Sequence, residues 1–143
     1  MKRTASAVWQ GTIREGQGTL STQSRVLADT PYSFGSRFAD GTETNPEELI
    51  GAAHAGCFAM ALSGQLGSDG HPAERLDVTA TVSLEQVEGK WTITAIHLDL
   101  KARVPGIEGT KFQQLAQEAK ANCPVSRVLA AASITLDATL DGA

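Results

Sequence analysis

The stretch NPEELIGAAHAGCFAMALSGQLG, residues 45–67, decides how the rest of the chain is read. Asn45 is a good helix N-cap, Pro46 suits the first helical position, and Glu47 and Glu48 place negative charge in the first turn. From Leu49 onward the run has no proline and is mostly small or apolar, with Gly67 and Gly70 as stops. Apolar and small residues lie on nearly every side, which predicts a buried helix rather than a surface one.

The flanking sequence predicts strands. Upstream, three short strand-like runs, Thr4 to Trp9, Gly18 to Leu27 and Tyr32 to Phe38, are punctuated by Gly11, Gly16, Gly18 and the Thr30-Pro31 step. They read as a three-stranded antiparallel meander. Downstream, Val78, Ala80, Val82 and Leu84 alternate with Thr79, Thr81 and Ser83. After the Glu88-Gly89 turn a second long strand, Trp91 to Val104, completes a hairpin. Thr110 to Asn122 carries a helical stripe of Phe112, Leu115, Ala116 and Ala119, and Cys123-Pro124 opens a further short helix. Ile134, Leu136, Ala138 and Leu140 alternate as a closing strand. The order βββ-α-ββ-αα-β defines an α+β domain, one domain over residues 1–143.

A single small sheet covers only one side of the central helix. Gly51, Ala52, Ala53, Ala55, Gly56, Ala59 and Ala61 would let a second helix approach closely, so a two-fold homodimer packed through this helix is expected. The net charge of −4 and the scattered lysines and arginines argue against nucleic acid as a partner. No apolar stretch is read as approaching the roughly 20 residues of a membrane helix. The start, MKRTASAVWQG, lacks the apolar segment of a signal peptide. A cytoplasmic location is therefore expected, where a disulfide is more often catalytic or redox-sensing than structural. The chain has 2 cysteines without a CxxC pattern, too few for a structural zinc site.

NPEELIGAAHAGCFAMAL, together with PYSFGSRF (31–38), VPGI (104–107) and ANCPVSRVL (121–129), resembles the OsmC branch of the OsmC/Ohr family. The resemblance runs from Trp9 to Leu140. It implies antiparallel sheets around a long central helix, an intertwined homodimer, and a cofactor-independent peroxidase of oxidative or osmotic stress defence. By matching position it implies Cys57 as peroxidatic, Cys123 as resolving, and Arg37 with Glu47 as a supporting pair. The implied substrates are small organic hydroperoxides, with hydrogen peroxide reduced less well. The implied partner is an external dithiol reductant, of lipoyl or thioredoxin type.

The chemistry needs these residue types. A thiolate cleaves the weak O–O bond and becomes a sulfenic acid, and a second thiol traps that acid before over-oxidation. A cysteine at its reference pKa is only a few per cent thiolate at neutral pH. An arginine beside it would favour the thiolate and receive charge developing on the leaving alkoxide. Glu47 would aim the guanidinium through a bidentate pair. On residue type alone other readings stay open. Cys57 suits a small core residue, Cys123 a helix cap, Arg37 a solvated charge in a strand, and Glu47 a helix-start residue. The resemblance reverses these for the four residues. His54, one turn before Cys57, is read as a core histidine, and His71 and His97 show no metal spacing. Phe34, Phe38, Phe58 and Met60 are candidates for an apolar mouth or for the core. A non-catalytic thiol redox sensor, a stress-binding protein and an inert structural dimer are the competing functions. Glu47 and Cys57, ten residues apart on one helix, would be separated by roughly 15 Å along its axis. That span predicts a site shared between two chains.

Overall fold

The computed structural model describes residues 1–142. The chain divides into two compact units, the first Met1–Leu49 and the second from Ile50 onward.

In the first unit β1 (Ala5–Gln10), β2 (Gln17–Thr22) and β3 (Thr30–Tyr32) form the expected antiparallel meander, in the order β1-β2-β3. Gly18 sits between Trp9 on β1 and Tyr32 on β3. Those two rings pack with centroids 5.4 Å apart. A Cβ at position 18 would run into both rings, so the meander closes there only because the residue is glycine.

The strand expected over Tyr32 to Phe38 is corrected. β3 ends at Tyr32, and Phe34–Phe38 is a short helix, α1. Ser33 and Ser36 form a capping box. The Ser33 hydroxyl accepts from the Ser36 amide at 3.3 Å and the Ser36 hydroxyl accepts from the Ser33 amide at 2.9 Å. Serine stands where Glu or Gln usually completes this motif, and the aromatic residues at 32 and 34 mimic a strand's alternation. Phe34 and Phe38, one turn apart, bring their rings to 5.0 Å.

The central helix, α2, spans Pro46–Ser68. Asn45 caps it as expected, its Oδ1 accepting from the Glu48 amide at 2.8 Å. The helix runs through Gly67 and ends at Ser68. The chain then turns at Gly70, which has φ +83°, while the His71 amide donates to the Leu66 carbonyl at 2.9 Å. Within the chain α2 is not buried all round. Gly51, His54, Phe58, Leu62 and Leu66 form one buried stripe, whereas Ala52, Ala53, Gly56, Met60, Ser63, Gly64 and Gly67 are exposed. The 23-residue helix, with a mean hydropathy of 1.3 over 18 residues, is long and apolar enough by length and composition to cross a membrane. This corrects the expectation that no stretch comes close. The Ala-rich run keeps its hydropathy because its only acidic residues sit in the first turn.

In the second unit β4 (Arg75–Val87) and β5 (Lys90–Arg103) form the expected hairpin. Glu88 and Gly89 both have positive φ, 51° and 77°, as a tight hairpin turn of this hand requires. β6 (Ser133–Leu140) lies beside β5 and runs parallel to it. Between them run α3 (Gly109–Asn122) and α4 (Pro124–Val128), which return the chain to the start of the sheet. Every other strand pairing is antiparallel.

The core of this unit is a cluster of Phe58, Leu62 and Leu66 from α2, Ile96, Leu98 and Leu100 from β5, and the α3 stripe of Phe112, Leu115, Ala116 and Ala119. The opposite face of the sheet presents Thr79, Thr81, Asp99, Thr135 and Asp137 to solvent. Leu62 has no exposed surface. Leu62→Ala should lower the unfolding free energy by about 2–5 kcal/mol, since it removes buried methylenes and leaves a cavity. Urea titration followed by circular dichroism measures the change.

Candidate active site

Two pairs of side chains are the candidates for chemistry, one in each unit. The thiol pair comes from the second unit. Cys57 lies on α2 one residue before the buried Phe58, so the packing of Phe58 sets which way the thiol faces. Cys123 ends α3 and opens α4, with φ −54° and ψ 130°, because Pro124 cannot continue α3 and suits the first position of a new helix.

Residues 66 apart in sequence thereby bring their sulfurs to 2.9 Å, and both are free thiols. A disulfide bond measures about 2.04 Å, so closure needs roughly an ångström of movement. Cys123 has no exposed surface, whereas Cys57 is partly exposed.

The two thiols are in hydrogen-bond contact, so ionisation of one is felt by the other. Burial raises the pKa of Cys57, and the hydrogen bond with Cys123 raises it further; the Val125 amide pulls weakly the other way. Burial also pushes Cys123 up. There, however, the hydrogen bond with Cys57, the Ser126 amide and hydroxyl, and the Val125 amide together outweigh it, and its pKa is lowered. Either sulfur is placed to donate, but the amides of α4 favour charge on Cys123, so Cys57 keeps the proton. Within this unit, then, the Val125 amide is outweighed and the pKa of the more accessible sulfur stays raised.

The second pair lies in the first unit. Arg37 sits in the last turn of α1, not on a strand as expected, and reaches Glu47 in the first turn of α2. Its Nε and Nη2 donate to Glu47 at 3.1 and 2.9 Å. Both bonds end on the same oxygen, Oε1, so the expected two-oxygen fork is corrected. Glu47 Oε2 is buried and has no protein partner among the described residues. The guanidinium also lies over the Phe38 ring at 5.2 Å. Arg37 lines a cavity of about 180 Å³ with Trp9, Ile13, Tyr32, Phe34 and Phe38. Of the four residues considered for an apolar mouth, Phe34 and Phe38 line this cavity. Phe58 is core, and Met60 is 78 % exposed.

Next to the thiols, His54 is fully buried and its Nε2 lies 2.7 Å from Ser126 Oγ. Burial lowers its pKa, which keeps the ring neutral. The sequence marked His54 only as a core residue and did not mark Ser126. The signal was nonetheless present: in Cys-Pro-Val-Ser, serine falls at the third helical position after the cysteine, where cap partners meet. No cluster of three or more His, Cys, Asp or Glu side chains is set to hold a metal among the described residues.

Two free thiols held in contact within an α+β fold of two small sheets and helices define a cysteine-pair protein. Residues 39–139 match the family model described as OsmC-like protein, and the chain belongs to that family. It is 53 % identical over 131 residues to "Peroxiredoxin OsmC" of Escherichia coli K12, covering 92 % of this chain and 91 % of that protein. It is 31 % identical to the "Organic hydroperoxide resistance protein" of Xanthomonas axonopodis, covering 79 % and 78 %. Among solved structures it resembles the organic hydroperoxide resistance protein OhrB of Bacillus subtilis, with a TM-score of 0.68, 25 % identity, and coverage of 96 % and 98 %.

The sulfur–sulfur approach predicts a specific product. One equivalent of peroxide should remove two hydrogens' mass from the chain and link the peptides containing Cys57 and Cys123. Intact and peptide mass spectrometry checks this, and a link between two copies of Cys57 would contradict it.

Proposed function

We propose that this chain is a thiol-dependent peroxidase that reduces small organic hydroperoxides, and hydrogen peroxide less well, through Cys57 and Cys123. The observation that carries the reading is the pair of free thiols 2.9 Å apart, one partly exposed and one buried, in a member of the OsmC-like family. The names of the relatives, a peroxiredoxin and an organic hydroperoxide resistance protein, agree with it.

The Cys57 sulfur attacks the terminal oxygen of the hydroperoxide. An S–O bond forms, the O–O bond breaks, and the departing alkoxide takes a proton to become the alcohol. Cys123 then attacks the sulfenic sulfur, closing a disulfide and releasing water. An external dithiol, of lipoyl or thioredoxin type, returns both cysteines to thiols. Cys57 is assigned the first step because a hydroperoxide must reach the sulfur, and Cys123 is wholly buried.

Burial and Cys123 hold the Cys57 pKa up, so the first step needs a cation that favours charge on that sulfur. Arg37, aimed by Glu47, is assigned that part. It would also hydrogen-bond the developing alkoxide. The chain is read as a single OsmC-like domain acting as a cytoplasmic homodimer, joined through the exposed small-residue face of α2. About 15 Å of helix separates Glu47 from Cys57, more than a glutamate side chain spans. In an antiparallel pairing, Glu47 of one chain would support Arg37 beside the partner's Cys57.

Multiple-turnover loss of cumene hydroperoxide with a dithiol is the decisive assay, since a redox sensor would stop after one equivalent. Cys57→Ser should abolish turnover while leaving the fold intact, because a serine hydroxyl is far less nucleophilic at neutral pH. Turnover like that of the unmodified protein would refute the assignment. The shared site has its own test. Cys57→Ser and Glu47→Ala chains, each inactive alone, should recover activity when mixed and allowed to exchange subunits. The heterodimer then holds one intact pairing. No recovery, with exchange confirmed by native mass spectrometry, would place the whole site within one chain.

A further inference from the structure

His54 has no part in the steps above, yet it is a fully buried polar side chain next to the thiol pair. Its two ring nitrogens have unequal surroundings. Nε2 lies 2.7 Å from Ser126 Oγ, while Nδ1 is buried with no partner among the described residues.

That difference selects a tautomer. A buried N–H left without an acceptor is rarer and more costly than a buried lone pair left without a donor. The proton therefore sits on Nε2, and Nε2–H donates to Ser126 Oγ. Ser126 has one hydroxyl hydrogen to give, and it stands at the third position of α4, the helix that Cys123 caps, where its hydroxyl favours charge on the Cys123 sulfur. The network then points in one direction, from imidazole to hydroxyl to sulfur.

We propose that His54 is a positioning residue for Cys123: its Nε2–H holds the Ser126 hydroxyl so that this hydroxyl donates to the Cys123 sulfur and supports negative charge there. The inference rests on the reading of Cys123 as the resolving thiol. In closure the Cys123 thiolate attacks the Cys57 sulfenic sulfur; an S–S bond forms and the S–OH bond breaks. The departing hydroxide takes up the proton that Cys123 released on ionising, giving water. Cys123 is oxidised, and the Cys57 sulfenic acid is reduced to the disulfide level. When the external dithiol later attacks Cys57, Cys123 leaves as the thiolate that the same hydroxyl supports, and a better-supported thiolate leaves faster. One donor chain thus serves both closing and opening.

Within one chain, no charged side chain among the described residues bears on this arrangement. Burial is the only influence on the titration of His54. Among the described residues, Cys57 is the titratable group that bears on Cys123, and the Val125 amide and the Ser126 amide and hydroxyl also favour its charged form. Around α2, the sheet and α3 contribute apolar side chains to the core.

The test is a thiolate titration by absorbance at 240 nm in a Cys57→Ser background, where Cys123 is the single cysteine. It uses no peroxide, so failure of the peroxidase reading leaves it interpretable, and its own failure leaves turnover untouched. Ser126→Ala should lower the thiolate fraction below the midpoint about tenfold, the usual scale for losing one hydrogen bond to a charged group. His54→Leu should produce a loss in the same direction. Ser126→Thr keeps the hydroxyl and His54→Gln keeps an N–H donor, so both should titrate like the parent. A Ser126→Ala titration superimposable on the parent would overturn the proposal. So would loss in His54→Gln equal to that in His54→Leu, with circular dichroism unchanged. If His54→Leu fails to fold, the Ser126→Ala and Ser126→Thr pair decides alone.

Discussion

The seating of Phe58, Leu62 and Leu66 on the sheet is the constraint from which the thiol geometry follows. These residues are four positions apart, so burying them fixes the rotation of α2 about its axis. Once the rotation is fixed, Cys57 has one direction in which to face. The α3 stripe packs into the same cluster and fixes the end of α3, where Cys123 lies. The 2.9 Å sulfur–sulfur approach is thus set by apolar packing on both sides rather than by any attraction between the thiols. A shift in the core would be felt first in that distance, because close-packed interiors transmit small displacements.

The electrostatics divide the two sulfurs. Burial alone would push both pKa values up. Cys123 escapes because the Val125 and Ser126 amides and the Ser126 hydroxyl, just after the turn at Pro124, favour charge on its sulfur. Cys57 sits mid-helix, where backbone amides are committed to the helix, so burial and its partner thiol dominate. A mid-helix cysteine that must react therefore depends on charge supplied by side chains. Arg37, held at Glu47 Oε1 and over the Phe38 ring, is a guanidinium fixed by a carboxylate and an aromatic face. The unpartnered Glu47 Oε2 leaves acceptor capacity at that same pair.

The outer face of α2 has a different logic. Beyond Glu48 in the first turn its exposed residues are Ala, Gly or Ser, with Met60 as the one large side chain. Small residues contribute little by their own burial, but they lower the distance at which another backbone can pack. This also explains how the helix reaches a membrane-like hydropathy while carrying few large apolar groups.

Much of the molecule was legible in the sequence because its signals are local. Asn45-Pro46-Glu47-Glu48 marks the start of α2, Glu88-Gly89 marks the hairpin, and alternation marks β4 and β6. The resemblance carried by the cysteine motifs named the family that the comparisons show. Where two local patterns compete, the sequence was ambiguous: Tyr32 to Phe38 alternates like a strand, yet the Ser33–Ser36 box makes α1 a helix. Nothing local could set the direction of β6 against β5, the single-oxygen contact between Arg37 and Glu47, or the His54–Ser126 bond across 72 residues. These depend on side chains brought together only after the core has closed. The sequence by itself determined every element but α1, the family and the two cysteines. Only the tertiary structure decided which groups surround each sulfur, because a pKa depends on burial and neighbours that no linear spacing contains.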